Sequence, residues 1–280
     1  MNESLEQVLV HLDATAAGPH RLRAAREIAQ EHGAAVAALY AAMPTIAALP
    51  YTGEMGASAV AALIEIDNER RARARRDFDA ACSTPGPIPS WGDTGEAPVQ
   101  SAFVQQALHA DLLVLGQYDA SDPNAASTPA DFVPSVVVAS GKPALVIPFT
   151  GWSQRIGSVA AIAWKPTREA ARAVASALPL LRRAGHVHVI AFGEPERPQV
   201  QGHNLDLEGY LKLHGVATTW HLQGGEDAAV GELLLSRAFD LDTDLLVMGC
   251  YGHSRARELV LGGVSRTVLR SMTLPVLMAH

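Results

Sequence analysis

Four glycines lie close together in the last part of the chain, where a bare backbone could hold a ligand. The stretch DLLVMGCYGHSRARELVLGG, residues 244–263, contains Gly249, Gly252, Gly262 and Gly263. A residue without Cβ allows tight turns and a close approach of a sugar or a flat ring. The second pair directly precedes the helical pattern VSRTVL, and amides at a helix N-terminus bind phosphate. The spacing predicts a nucleotide site, with the sugar at the first glycine pair and the phosphates at the second.

The same stretch allows a second chemistry. The segment GHSRA, residues 252–256, is similar to the Gly-x-Ser-x-Gly elbow that presents a nucleophilic serine, here Ser254. Ala256 replaces the second glycine of that elbow, and the only later histidine that could act as a base is His280. A serine hydrolase is therefore the less favoured alternative.

Other chemistry-bearing residues give weaker signals. His186 and His188 alternate on an apolar strand and are expected to pack against a helix, and the remaining histidines lack the paired spacing of a metal site. The basic run Arg70–Arg76 is flanked by Asp67, Glu69 and Asp77, which is typical of a solvated helix face. The sequence therefore predicts neither a metal site nor a nucleic-acid surface.

Composition limits the class of protein. The chain has 280 residues, of which 48% are hydrophobic and 18% charged, and its net charge is −7. The negative charge argues against a general polyanion binder. Two cysteines, Cys82 and Cys250, are too few for a disulfide framework. The N-terminus lacks the features of a signal peptide, and no apolar run approaches the length of a membrane span. We expect a cytoplasmic protein with no membrane partner.

The chain contains two copies of one unit. DLLVLGQYD at 111–119 matches DLLVMGCYG at 244–252 in six of nine positions, and each copy is followed by a proline-led apolar strand, KPALVIP or LPVLMAH. Elements before each copy also correspond in order. The repeat predicts two domains, residues 1–151 and 152–280.

Within each half, short apolar runs alternate with helical patterns. Such strands predict a parallel sheet covered on both faces, so the fold class is α/β, with two tandem doubly wound five-stranded parallel-sheet domains. Pro179 is expected to kink or interrupt the first helix of the second half. Ligands bind such sheets where strand order reverses, here predicted between strands one and four, which brings the loops after Ala163 and Met248 together.

The spacing Gly-x2-Gly-x9-Gly resembles the motif of the universal stress protein family, in its tandem two-domain form. The resemblance covers nearly the whole chain and implies the adenine nucleotide alpha hydrolase-like fold. In that family, ATP-binding members use this motif for ribose and phosphates. The family pattern continues with Ser or Thr after the third glycine, whereas this chain has Gly263 there and the nearest hydroxyl on Ser265.

The two halves depart from the family pattern in different ways. Nucleotide-binding members have an aspartate at the end of strand one, which the first half keeps as Asp13 and the second replaces with Trp164 and Lys165. The first half has lost the glycine loop, and its Asp119 and Asp122 would repel a triphosphate. We therefore place the candidate site in the second half, at Ala163, Trp164, Lys165, Gly249, Gly252, His253, Gly262, Gly263, Val264 and Ser265.

The resemblance implies a stress-associated regulatory protein rather than a committed enzyme, with ATP or AMP as the ligand and at most slow ATP hydrolysis. It also implies association through the last strands, by which the two halves can pair with each other in one chain. A homodimer of the whole chain is a separate expectation. A nucleotide-free scaffold that acts through an unknown protein partner is the alternative.

Overall fold

The computed structural model describes residues 4–49, 55–192, 204–223, 230–250 and 263–280. The chain divides into two compact units, which we call the N-terminal unit (Ser4–Trp152) and the C-terminal unit (Ser153–His280). In the described part of the chain, each unit contains five strands and four α-helices in the same order.

The N-terminal unit alternates strands and helices along its length. Its elements are β1 (Gln7–Leu12), α1 (Gly18–His32), β2 (Ala35–Tyr40), α2 (Ala57–Cys82), β3 (Ser90–Asp93), α3 (Val99–Ala107), β4 (Leu112–Gly116), α4 (Phe132–Ser140) and β5 (Ala144–Ile147). Short 3₁₀ turns lie at Thr45–Ala48 and Ala125–Ser127.

The C-terminal unit repeats this plan. Its elements are β6 (Val159–Trp164), α5 (Arg168–Leu181), β7 (His186–Phe192), α6 (Leu207–Leu213), β8 (Thr219–Gln223), α7 (Val230–Asp240), β9 (Leu245–Gly249), α8 (Val264–Ser271) and β10 (Val276–Ala279).

Both units have the same strand order. In the N-terminal unit β1 pairs with β2 and β4, and β3 and β5 complete the sheet on either side. In the C-terminal unit β6 pairs with β7 and β9, and β8 and β10 lie outside them. All these pairs are parallel, so the doubly wound α/β fold predicted from the sequence is confirmed. Strand order reverses between the first and fourth strand of each unit, as predicted.

Pro179 does not interrupt α5, so that part of the expectation is wrong, and the expected kink stays a prediction. The helix continues through Pro179 to Leu181. A proline removes one backbone donor, but Leu178, Leu180 and Leu181 are all buried, and their packing holds the last turn in place. The sequence pattern alone does not show whether this packing offsets the backbone hydrogen bond that Pro179 removes.

A carboxylate at the start of the fourth strand fixes the start of the first strand in each unit. Asp244 accepts hydrogen bonds from the amides of Gly157 (2.8 Å), Ser158 (3.0 Å) and Val159 (3.2 Å) and is buried. Burial raises the pKa of Asp244, and the three amide donors oppose that rise. Its counterpart Asp111 accepts from the amides of Glu6 and Gln7, both at 2.9 Å, but is exposed. The acidic residue common to both repeats is therefore a structural element.

We expect Asp244→Ala to destabilise the protein more than Asp111→Ala. Removing the Asp244 carboxylate leaves buried amides without an acceptor. Each unsatisfied buried group lowers the free energy of unfolding by about 1–3 kcal/mol. Water can replace the exposed Asp111 carboxylate, so that variant should lose about 1 kcal/mol or less. Urea unfolding of the wild type and both variants measures the difference. Equal losses in the two variants would contradict the assignment.

Candidate functional site

The tips of β6 and β9 lie side by side in the C-terminal unit. Ala163 pairs with Met248, so Trp164 and Gly249 are the next residues on neighbouring strands. Ala163 and Trp164 are half-buried and Lys165 is exposed. The structure therefore brings the predicted base-side residues next to the first predicted sugar-side glycine, with part of their surface accessible.

Gly249 also has a packing function that the sequence did not reveal. A Cβ atom at this position would lie 2.4 Å from the backbone nitrogen of Ala170 and 2.5 Å from the carbonyl carbon of Glu169. Both belong to the first turn of α5, which follows β6 after only residues 165–167. The helix backbone therefore requires a bare residue at Gly249, and the predicted sugar contact stays a prediction.

The predicted phosphate end lies at the start of α8. Gly263 is the N-cap of this helix, Val264 is half-buried and Ser265 is buried. Helices that follow parallel strands begin at the carboxyl edge of the sheet, so the first amides of α8 lie at the same edge as the tips of β6 and β9.

A close contact fixes the position of α8. A Cβ atom on Gly231 of α7 would lie 2.8 Å from Cβ of Thr267 and 3.4 Å from the carbonyl oxygen of Val264. Helix α7 therefore approaches the first turns of α8 with no room for a side chain at Gly231, and this contact sets where the amides of α8 point.

Several predicted residues lie outside the part of the chain that the structure describes. These are Gly252, His253 and Gly262, together with Ser254 of the alternative hydrolase site. His280, the base that the hydrolase would need, is described. Its Nδ1 lies 3.1 Å from the carbonyl oxygen of Cys250, an acceptor, so Nδ1 carries the proton in this contact.

The corresponding edge of the N-terminal unit is filled by its own side chains. Arg21 of α1 is buried, with Nη2 2.5 Å from Oδ1 of Asp13 and Nε donating to the carbonyl oxygen of His11 at 3.0 Å. A Cβ atom on Gly116 would lie 2.4 Å from Nη1 of Arg21. The guanidinium thus occupies the space that the bare residue leaves at the end of β4.

Charge and burial shift the pKa values of this cluster strongly. Burial alone would raise the pKa of Asp13, but the charges of Arg21 and His11 and the hydrogen bonds from Thr15 and Arg21 hold it well below its usual range. Burial lowers the pKa of His11 to about 4, with Arg21 adding to the effect and Asp13 and the Ala41 carbonyl opposing it. The neutral His11 donates from Nε2 to the Ala41 carbonyl oxygen at 2.8 Å. Asp13 is thus an ion-paired carboxylate and not a free acceptor for a base.

The loop after β4 closes the rest of this edge. Asp122 Oδ2 accepts from the amide of Ala16 at 2.8 Å, and Thr128 Oγ1 donates to Asp13 Oδ2 at 3.2 Å. What remains is a cavity of about 50 Å³ beside Asp13 and Arg21. Ligand pockets measure about 300–1,000 Å³, so this cavity cannot hold a nucleoside.

Sequence reasoning missed Arg21. The signal was present, because Arg21, Ala25 and Ile28 lie at helical spacing on the buried face of α1. A charge on an otherwise apolar face predicts a buried partner, and Asp13 at the end of the neighbouring strand supplies it.

The fold and the edge geometry define a doubly wound α/β protein in which side chains fill the switch point of the N-terminal unit, whereas Trp164 and Lys165 stay partly accessible at that of the C-terminal unit. Residues 161–280 match the model of the universal stress protein family. The match lies within the C-terminal unit, and the resemblance stated from the sequence is confirmed.

Comparison with individual proteins agrees with this assignment. A stretch of 92 residues is 33% identical to universal stress protein Slr1230 of Synechocystis sp. (strain ATCC 27184 / PCC 6803 / Kazusa) and covers 32% of this chain and 31% of that protein. The match thus spans about a third of the relative's length.

Two solved structures resemble the whole chain in fold. A universal stress protein from Archaeoglobus fulgidus DSM 4304 superposes with a TM-score of 0.66 at 14% identity, covering 99% of this chain and 98% of that one. A functionally unknown protein from Pseudomonas aeruginosa PAO1 superposes with a TM-score of 0.55 at 16% identity, covering 99% of this chain and 93% of that one. Among the described helices of this chain, none is long and apolar enough to cross a membrane.

We expect Gly249→Ala to destabilise the C-terminal unit, because its Cβ atom would collide with backbone that cannot rotate away. Overpacking of this kind costs about 1–3 kcal/mol. Gly56→Ala is the control, since nothing lies within 4 Å of its Cβ position and its φ is −69°. Thermal unfolding of both variants measures the effect, and an unchanged melting temperature for Gly249→Ala would refute the contact.

His11 should make the N-terminal unit sensitive to acid. Its pKa falls from 6.5 to about 4 on folding, so the stabilisation is complete above pH 6.5 and is lost as pH falls from 6.5 towards 4. The shift corresponds to about 3 kcal/mol. Hydrogen exchange of the β1 amides at pH 7 and pH 4.5 measures it. In the His11→Phe variant, the difference in β1 amide protection between pH 7 and pH 4.5 should be smaller than in the wild type. An unchanged difference would show that other groups cause it.

Proposed function

We propose that this chain is a stress-associated regulatory protein that binds an adenine nucleotide, ATP or AMP, in its C-terminal unit alone. The observation that carries the proposal is the contrast between the two first strands. The tip of β6 is accessible, at Ala163, Trp164 and Lys165. The tip of β1 is buried, at His11, Leu12 and Asp13.

The residues at the open edge have suitable chemistry for such a ligand. The half-buried indole of Trp164 offers a surface on which a purine can stack, and the exposed ammonium of Lys165 can pair with a phosphate. The first amides of α8, at Val264 and Ser265, would receive phosphate oxygens at the positive end of the helix dipole. These contacts support binding and orientation of a nucleotide. The proposal assigns no catalytic step to the chain.

A nucleotide-free scaffold is the second candidate, and an exposed apolar segment favours it. The first half of α2 places Ile64 and Ile66 at the surface, with exposed fractions of 56% and 40%. Large apolar side chains that stay exposed on one helix are typical of surfaces that meet a partner. In this case the protein would act by associating with a protein partner. The open edge of the C-terminal unit would then follow from the fold alone and bind no nucleotide.

Calorimetric titration with ATP and with AMP separates the two candidates. We expect one site per chain, and Lys165→Ala should weaken ATP binding about tenfold or more, because a charge-assisted contact is worth about 1.5–3 kcal/mol. AMP should lose less, since it carries fewer phosphate charges. Lys212→Ala, an exposed lysine on α6 of the same unit, is the matched control and should bind as the wild type does.

The scaffold predicts different results. Freshly purified protein extracted with acid would release no adenine nucleotide, and ATP would not raise the melting temperature. Two sites per chain would contradict the closed edge of the N-terminal unit. Phosphate release measured in the same samples reports whether any bound ATP is hydrolysed.

A further inference from the structure

Three histidines and one arginine meet on one face of the C-terminal sheet, away from the candidate nucleotide site. His186 and His188 belong to β7, His221 to β8 and Arg237 to α7. His188 pairs with Thr219 and Ile190 with His221, so the three imidazoles project from the same face of the two strands. Ring centroids are 4.4 Å apart for His186 and His188 and 5.0 Å apart for His188 and His221. We call these four residues the His–Arg cluster.

Hydrogen bonding fixes the proton positions in the His–Arg cluster. Arg237 Nη2 lies 3.1 Å from Nδ1 of His221, and a guanidinium can only donate. Nδ1 of His221 is therefore an acceptor, and its proton lies on Nε2. That nitrogen is 2.9 Å from Nδ1 of His188, which must accept in turn. The arginine thus orders a chain in which both imidazoles are neutral.

A further proton on either imidazole would break this chain. On His221 it would go to Nδ1 and face the donors of Arg237. On His188 it would go to Nδ1 and face the Nε2 proton of His221. The described residues show what surrounds the pair: His186 on β7, whose Nε2 is 3.2 Å from the Thr219 hydroxyl, and on α7 Arg237, with Asp240 4.0 Å from it.

Burial and charge act in the same direction as the hydrogen bonds. Burial lowers the pKa of His188, and the charges of His186, His221 and Arg237 lower it further. Burial also lowers the pKa of His221, with Arg237 and His186 adding to the effect. Among the described residues, no group of three or more His, Cys, Asp or Glu is placed to hold a metal ion. The bonds within the cluster, rather than a metal, account for its arrangement.

We propose that the His–Arg cluster is an acid-sensitive latch that holds the edge strand β8 and helix α7 against β7 at neutral pH and releases them on protonation. β8 is the outermost strand on its side of the C-terminal unit and pairs only with β7 among the described strands. Of the contacts that the cluster makes, the bond from His188 to His221 joins β7 to β8, and the bond from Arg237 joins α7 to β8. Among the described residues, losing both bonds leaves the backbone ladder and the His186–Thr219 contact as hydrogen-bonded links between β8 and β7.

The direction of the pH effect follows from linkage. Because folding lowers the pKa of both imidazoles, the unlatched state takes up protons more readily than the latched state. The latch is therefore fully closed above about pH 6.5 and weakens as pH falls through 6.5. Each histidine that stays neutral in the latched state should favour opening by about tenfold between pH 7.5 and pH 5.5.

Hydrogen exchange of the full chain tests the latch. The β8 and α7 amides are followed at pH 7.5 and pH 5.5 with EDTA present, and the rates are corrected for the intrinsic effect of pH. We expect protection of β8 and α7 to fall, by at most about tenfold for each of the two histidines, while that of β6 in the same unit changes less. Equal loss across β6 and β8 would mean general unfolding and would overturn the proposal.

Variants separate the cluster from other histidines. In His221→Gln the extra loss at pH 5.5 should disappear, because the titrating link is gone. His109→Gln removes an exposed histidine of the N-terminal unit and should keep the wild-type response. If His221→Gln does not fold, NMR titration of the wild-type imidazoles decides, since His188 and His221 must titrate below 6.5. Titration of both at or above their ordinary value would refute the latch.

Discussion

The end of the fourth strand in each unit has no room for a Cβ atom, and the rest of the site depends on this constraint. In a doubly wound sheet the helix after the first strand crosses towards the neighbouring fourth strand, so its first turn meets the end of that strand. Gly116 and Gly249 mark this meeting point, and in both cases a Cβ atom would lie 2.4 Å from an atom of that helix. At Gly249 the atom belongs to the helix backbone, so the bare residue is a requirement of topology before it is a requirement of any ligand, whereas at Gly116 the atom belongs to the Arg21 side chain.

The two units meet this constraint by different means. In the C-terminal unit the loop between β6 and α5 is only residues 165–167, so the helix backbone itself contacts Gly249. In the N-terminal unit the loop is residues 13–17, and the longer path leaves space that the Arg21 side chain fills. A buried guanidinium needs a partner, and Asp13 provides it. In the N-terminal unit the longer loop thus places the aspartate at the strand end against an internal cation.

Features set by local pattern could be predicted from the sequence. The duplication, the element order and the reversal between first and fourth strands follow from apolar periodicity and from the repeat of DLLV. The partner of Asp13 could not be predicted in this way, because it depends on how far α1 turns over β4. The packing function of Gly249 was also hidden, since a glycine required by a ligand and a glycine required by a helix look alike in sequence.

His186 and His188 were expected to pack against a helix. The structure adds a hydrogen bond from His221 on the neighbouring strand to His188, a pairing that requires knowledge of register.

The two copies differ in how the polar groups at the carboxyl edge of the sheet are hydrogen-bonded. In the N-terminal unit Asp13 is bound by Arg21, Thr15 and Thr128, and the Ala16 amide is bound by Asp122. A ligand entering there would have to replace charge-assisted bonds that already exist, and each of those is worth more than a neutral contact. In the C-terminal unit Lys165 is exposed at the strand tip, so a phosphate could approach it without breaking an ion pair like that of Asp13 and Arg21. This difference in the cost of displacement supports placing the proposed ligand in the second copy.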